Sequence, residues 1–158
     1  MNNNPISYNS SGSSLEPYRN VFLVPCDWTS CGPAFYISGA PRVRDAQPVA
    51  VALTKETISL CTSRGPIWSL PLPSIKDVKV TNLTGLSFPV NTPAGVVYMA
   101  PPTAVGVEVS FNLTATGMVG RVIWCTMSPQ SAYDWVNDIT DAIYISITGP
   151  SQVDRRQE

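Results

Sequence analysis

The sequence predicts a mainly β (α+β) domain of about seven antiparallel strands capped by one C-terminal amphipathic helix. Three observations carry that expectation. Fifteen Pro and ten Gly punctuate the chain between short β-branched runs, the pattern of turns joining strands. Between residues 105 and 114, Val107, Val109, Phe111 and Leu113 alternate with Glu108, Ser110, Asn112 and Thr114, the period of two of a half-buried strand. After Ser128-Pro129 the period changes. Ala132, Trp135, Val136, Ile139, Ala142 and Ile143 recur at three- and four-residue steps, one apolar stripe on a helix.

Residues 1–20 read as a flexible polar arm, because Asn2, Asn3, Asn4 and the serines that follow offer little apolar surface to offset the entropy of ordering. Residues 21–148 form the single expected domain. Val21 to Val24, closed by Pro25, is a short strand or a packed lead-in segment. Ala34 to Ser38 is the candidate first strand, followed by a turn framed by Gly39, Pro41 and Pro48 that carries Arg42 and Arg44. Val49 to Leu53 and Thr57 to Thr62 make an antiparallel pair across the polar Thr54-Lys55-Glu56 turn, and Arg64-Gly65-Pro66 is the next break. The run from Ile67 to Pro73 contains two prolines that donate nothing to a ladder, so it belongs at a sheet edge or soon leaves the sheet.

Ile75, Val78 and Val80, interleaved with Lys76, Asp77 and Lys79, give another strand. Residues 82–102 hold four prolines and two glycines and read as a long excursion, with Gly95 to Met99 as one brief strand inside it. Val105 to Thr114 and Val119 to Met127 then form a hairpin about Thr116-Gly117, one face of which must be covered. The cover is the helix. Ser128 is placed to cap it and Pro129 occupies the first position, where a missing N–H costs nothing. Burying its Trp, Val and two Ile contributes about 1.5–3 kcal/mol each. Residues 149–158 read as a polar tail.

Composition narrows the function. Ten Lys and Arg against eleven Asp and Glu leave a net charge of −1, which predicts no nucleic-acid partner. Mean hydropathy is +0.06, and no apolar run approaches the ~20 residues of a transmembrane helix. The start of the chain has neither a basic nor an apolar signal region, so the expected setting is the reducing cytoplasm. Cys26 and Cys31 are spaced Cys-x4-Cys, and no His is present to complete a zinc site with Cys61 and Cys125; no metal and no cofactor is expected, and Cys61 and Cys125 read as small core residues on strands. Lack of His also removes Ser-His-Asp and Cys-His catalysis. The expected protein is not an enzyme.

Val49-Ala50-Val51-Ala52-Leu53-Thr54 with Ile58-Ser59-Leu60, then Trp68-Ser69-Leu70-Pro71-Leu72 and Ile75-Lys76-Asp77-Val78-Lys79-Val80, resemble the GRAM branch of the pleckstrin-homology-like superfamily. The resemblance covers about Ala34 to Ile147 and follows the strand order through to the Trp-bearing helix. It implies an open barrel of two near-orthogonal antiparallel sheets with the C-terminal helix plugging one end. It also implies a non-catalytic adaptor or assembly subunit that binds protein partners, or a domain that binds phosphoinositides at a membrane surface. Relatives of this branch engage WW domains through Pro-Pro-x-Tyr motifs. Here Pro101-Pro102 is followed by Thr103-Ala104, and Leu15-Glu16-Pro17-Tyr18 has one proline, so WW binding does not carry over.

Two sets of candidate site residues follow. Arg42, Arg44, Lys55 and Arg64 are the cations available to an anionic lipid headgroup, the Arg pair being suited to bidentate phosphate contacts. Trp28, Trp68, Tyr98 and Met99 lie in or beside loops and are candidate protein-contact anchors. Asp134, Asp138 and Asp141 share a helix face, the wet side of an amphipathic helix or a recruiter of a basic partner. The charge-poor, Asn/Ser/Thr/Pro-rich composition also suits a structural subunit of a viral or cellular assembly.

Overall fold

The computed structural model describes residues 3–9, 19–101, 103–113 and 117–148. β1 (Asn3–Asn9) and β2 (Arg19–Pro25) form a hairpin; β3 (Ser30–Ser38), β4 (Gln47–Leu53), β5 (Thr57–Thr62) and β6 (Gly65–Pro71) form a meander. A single 3-10 turn, Leu72–Ser74, leads to β7 (Ile75–Asn82). A second hairpin, β8 (Phe88–Thr92) and β9 (Gly95–Met99), precedes β10 (Val105–Asn112), β11 (Val119–Cys125) and the helix α1 (Pro129–Thr148).

Seven strands make one antiparallel sheet in the order β6-β5-β4-β3-β11-β10-β7. Its two edge strands, β6 and β7, are consecutive in the chain yet share no ladder. The sheet is therefore open. It curls far enough for Trp68 of the edge strand β6 to pack on Phe111 of β10, the strand next to the opposite edge, with ring centroids 5.8 Å apart.

The inner face explains the alternation in the sequence. Val49, Val51 and Leu53 of β4, Ile58 and Leu60 of β5, Val107, Val109 and Phe111 of β10, and Val122 and Trp124 of β11 all enter one core. Helix α1 covers it with Ala132, Trp135 and Ile139 buried, and Val136, Ala142 and Ile143 partly so. Trp135, 7% exposed, meets Trp124 edge to face at 6.5 Å. The helix start is the expected one, with Ser128 Oγ accepting from the Ser131 N–H at 3.2 Å.

The outer face is covered in two places. β2 lays Phe22 and Val24 on Ala50, Ala52 and Cys61; the small side chains of β4 and β5 face outward because another strand crosses close above them. Beyond it, Phe88 of β8 stacks on Phe35 of β3 at 5.2 Å, near the cluster of Ile37, Leu83 and Cys125. Glu108, on the same side of β10, pairs with Lys79 at 3.7 Å and Arg121 at 3.9 Å across neighbouring strands.

Several expectations change. Within the expected flexible arm, residues 3–9 pair with β2 from Asn3↔Pro25 to Asn9↔Arg19; backbone hydrogen bonding to an apolar neighbour does there what polar side chains do not announce. The tail 149–158 lies outside the described residues. Ala34–Ser38 belongs to the third strand, which starts earlier, at Ser30. The 82–102 excursion holds two strands, since Gly95–Met99 pairs with Phe88–Thr92. The expected placement of β6 at an edge, the hairpin of β10 and β11, and the burial of Cys61 and Cys125 hold.

Candidate functional site

β9 is a strand in which every residue is exposed. Val96 is 58% exposed, Tyr98 70% and Met99 49%. Its turn is built locally: Thr92 Oγ1 accepts from the Ala94 N–H at 3.2 Å and donates to the Gly95 carbonyl at 2.7 Å, and Gly95 takes a φ of 120°, a conformation open to glycine. In the register Phe88↔Met99 and Pro89↔Tyr98, Met99 shares the face of Phe88, which turns toward β3. Phe35, Phe88, Met99, Pro48 and Arg44 border a cavity of about 400 Å³ at the base of the hairpin. A two-stranded ribbon with both faces of one strand wet gains little from its own packing. Val96, Val97, Tyr98 and Met99 thus leave four consecutive apolar side chains in solvent, the type of surface proteins use for contacts when the patch is large.

The edges of the strands separate β9 from the rest. An unpaired edge invites pairing by another chain, and proteins blunt it with Pro or charge. Among the described residues, β1 carries Pro5, β2 Arg19 and Pro25, β6 Pro66 and Pro71, β7 Lys76, Asp77 and Lys79, and β8 Pro89. β9 reads Gly-Val-Val-Tyr-Met and has neither.

Of the expected contact residues, Tyr98 and Met99 sit on this strand. Trp28 is exposed but lies between β2 and β3, at the Ser30 end of β3. Trp68 is half-buried against Phe111, so much of its surface serves the core. Val96 and Val97 were not among the candidates; the signal for them was the lack of Pro and charge from 95 to 99, bounded by Pro93 and Pro101.

The cations divide by topology. Successive antiparallel connections alternate ends, so Arg42 and Arg44 in the β3–β4 loop share an end of the sheet with Arg64 in the β5–β6 turn. Lys55 is at the opposite end, in a turn fixed by Thr54 Oγ1, which accepts from the Glu56 and Thr57 N–H groups at 3.1 and 3.0 Å. The four do not form one cluster. The arginine loop is anchored from below, where the buried Tyr36 hydroxyl accepts from the Ala40 N–H at 2.8 Å.

Two pKa shifts follow from burial. Desolvation, with a smaller contribution from Cys31, pushes the Cys61 thiol up from 9.0 to about 12. Desolvation also raises Tyr36, with the Ala40 hydrogen bond opposing and Asp45 adding. Neither group is poised for chemistry near neutrality. Among the described residues no three metal-ligating side chains cluster, and no helix is long and apolar enough to cross a membrane. No protein-family model, curated protein or solved structure matches the chain.

Proposed function

We propose that this protein is a non-catalytic, cytoplasmic interaction module on a pleckstrin-homology/GRAM-like scaffold, which takes an extended apolar segment of a protein partner along the edge of β9. The scaffold reading is supported by an open, curled sheet of seven antiparallel strands with the C-terminal helix on its inner face. The contact reading rests on one observation: β9 is the exposed apolar edge that carries neither Pro nor charge among the described residues. A strand added there satisfies its free backbone groups and covers Val96, Val97 and Tyr98, the mode in which main-chain bonds give affinity and side chains give selectivity.

A phage-displayed library of random dodecapeptides tests it. Selection on the immobilised protein enriches peptides with alternating β-branched or aromatic residues, and their binding is lost in Val97→Lys but kept in Trp68→Phe. Absence of enrichment, or enriched peptides indifferent to Val97→Lys, overturns the proposal. Self-association abolished by the same lysine makes the occupant a second copy and overturns the hetero-partner reading.

A second reading, an anionic lipid surface, is favoured by the shared end of Arg42, Arg44 and Arg64. It requires flotation with vesicles containing phosphatidylinositol bisphosphate, lost in the Arg42→Ala/Arg44→Ala double variant. Flotation unchanged by that variant removes these residues from consideration.

A further inference from the structure

A second concave site lies at the other end of β3, between the start of that strand and the first turns of α1. Its cavity is about 400 Å³, within the roughly 300–1,000 Å³ of ligand pockets. Trp28, Met127 and Trp135 supply its apolar wall, and Ser30, Asp134 and Asp138 its polar one. Trp135 is held by its edge-to-face contact with Trp124, so that side of the wall is fixed before any ligand arrives. Trp28, 37% exposed, lines the same cavity from the segment that precedes β3.

The charge at this site has no counterpart. Asp134 and Asp138 are four residues apart on α1 and share a face. Asp134 Oδ1 accepts from Gln130 Nε2 at 3.0 Å, and Asp138 Oδ2 from Ser30 Oγ at 3.4 Å. Both donors are neutral. Among the described residues neither carboxylate forms an ion pair, and no Lys or Arg lines the cavity. Lys55 is at this end of the sheet but is not part of the lining.

We infer that this cavity binds an alkylammonium cation, with its methyl groups against Trp28, Trp135 and Met127 and its charge balanced by Asp134 and Asp138. Indole rings attract such a cation through their quadrupole, and the two exposed carboxylates add a Coulomb attraction moderated by solvent. An anion is repelled here, and a neutral ligand leaves both carboxylates uncompensated. Among the described residues Asp134 and Asp138 belong to no group of three side chains that could hold a metal ion. The cation is either a free quaternary amine or the trimethylated lysine of a peptide, two sources of the same chemistry.

Tryptophan fluorescence titrations of the full chain with choline, with a trimethyl-lysine peptide and with the neutral isostere 3,3-dimethylbutan-1-ol test this. Choline gives a saturable change and binds at least ~10-fold more tightly than the isostere. Trp28→Ala abolishes saturation while circular dichroism stays native, since Trp28 belongs to none of the three buried core clusters. Asp134→Asn/Asp138→Asn brings choline down to the isostere's affinity. A peptide that outbinds choline identifies a protein source, and equal affinities a small molecule. No saturation by either cation, or equal binding of choline and isostere, overturns the inference. Val97→Lys on β9 leaves this binding intact, so the two sites stand or fall separately.

Discussion

Trp135 joins the helix to the sheet, and its loss removes more than its own surface. The ring fills the space beside Trp124, so Trp135→Ala leaves a void that the surrounding strands close only in part. The expected cost is about 3–5 kcal/mol in urea denaturation, with Trp135→Phe losing clearly less; a loss under ~1 kcal/mol contradicts the packing described. Gly39 is a second fixed point. Its φ of 108° lies in the left-handed region, and a Cβ there would collide with the Arg121 carbonyl of β11. Gly39→Ala is therefore expected to lower the melting temperature well beyond what an exposed Gly→Ala change does, measured by calorimetry.

Cys61 makes stability depend on alkaline pH. Folded, the thiol keeps its proton to about 12 instead of 9.0, so above 9 the unfolded chain releases a proton that the folded chain retains. Its contribution is complete below pH 9 and is lost as pH rises toward 12, at no more than ~1.4 kcal/mol per pH unit. Denaturation series from pH 8 to 11 show this fall. Cys61→Ala makes it shallower, and Tyr36, whose pKa is also raised, leaves a remainder of the same sign.

Among the elements, the edges carry the functional distinction. Pro66 and Pro71 on β6, and Lys76, Asp77 and Lys79 on β7, close the main sheet to further strands. On β9, Val97→Lys puts a charge on an exposed side chain, so it changes stability by less than ~0.5 kcal/mol while removing capture of strand-forming peptides. A large stability loss from that one lysine means that β9 belongs to the folding core and contradicts the role assigned to it.

Elements were legible in the sequence where one face is wet and the other dry. The alternation from Val107 to Leu113, the prolines of β6 and the Ser128-Pro129 start each follow from local chemistry that tertiary context does not override. β1 was hidden because its Asn-rich strand is organised by pairing with β2. β8 was hidden because Pro89 and the turn residues around it mask a short strand. The acidic and aromatic cavity joins Trp28 to a helix more than a hundred residues later, and no local pattern announces such a meeting.

Across the whole molecule, two layers divide the labour. The helix on the inner face and β2 on the outer face bury both sides of β4 and β5, so the centre of the sheet is complete without the β8–β9 ribbon. Large side chains at 49, 51 and 53 and alanines at 50 and 52 record that two-sided burial. The sequence showed the alternation and the need for a cover; it did not show that the cover comes from both sides. The curled sheet brings Trp68 of one edge strand onto Phe111 of the strand beside the other edge without a ladder between the edges, so it stays open, which strand counting alone does not distinguish from a barrel.

Amide hydrogen exchange resolved residue by residue tests the central claim, that β9 offers an unfilled edge beside a finished core. In the free protein the amides of β4, β5, β10 and β11 should exchange near the rate of global unfolding, while alternate amides of β9 exchange orders of magnitude faster. Addition of a selected peptide should slow the β9 amides and leave the core unchanged. Protection of β9 equal to that of β4 before any peptide is added contradicts the account.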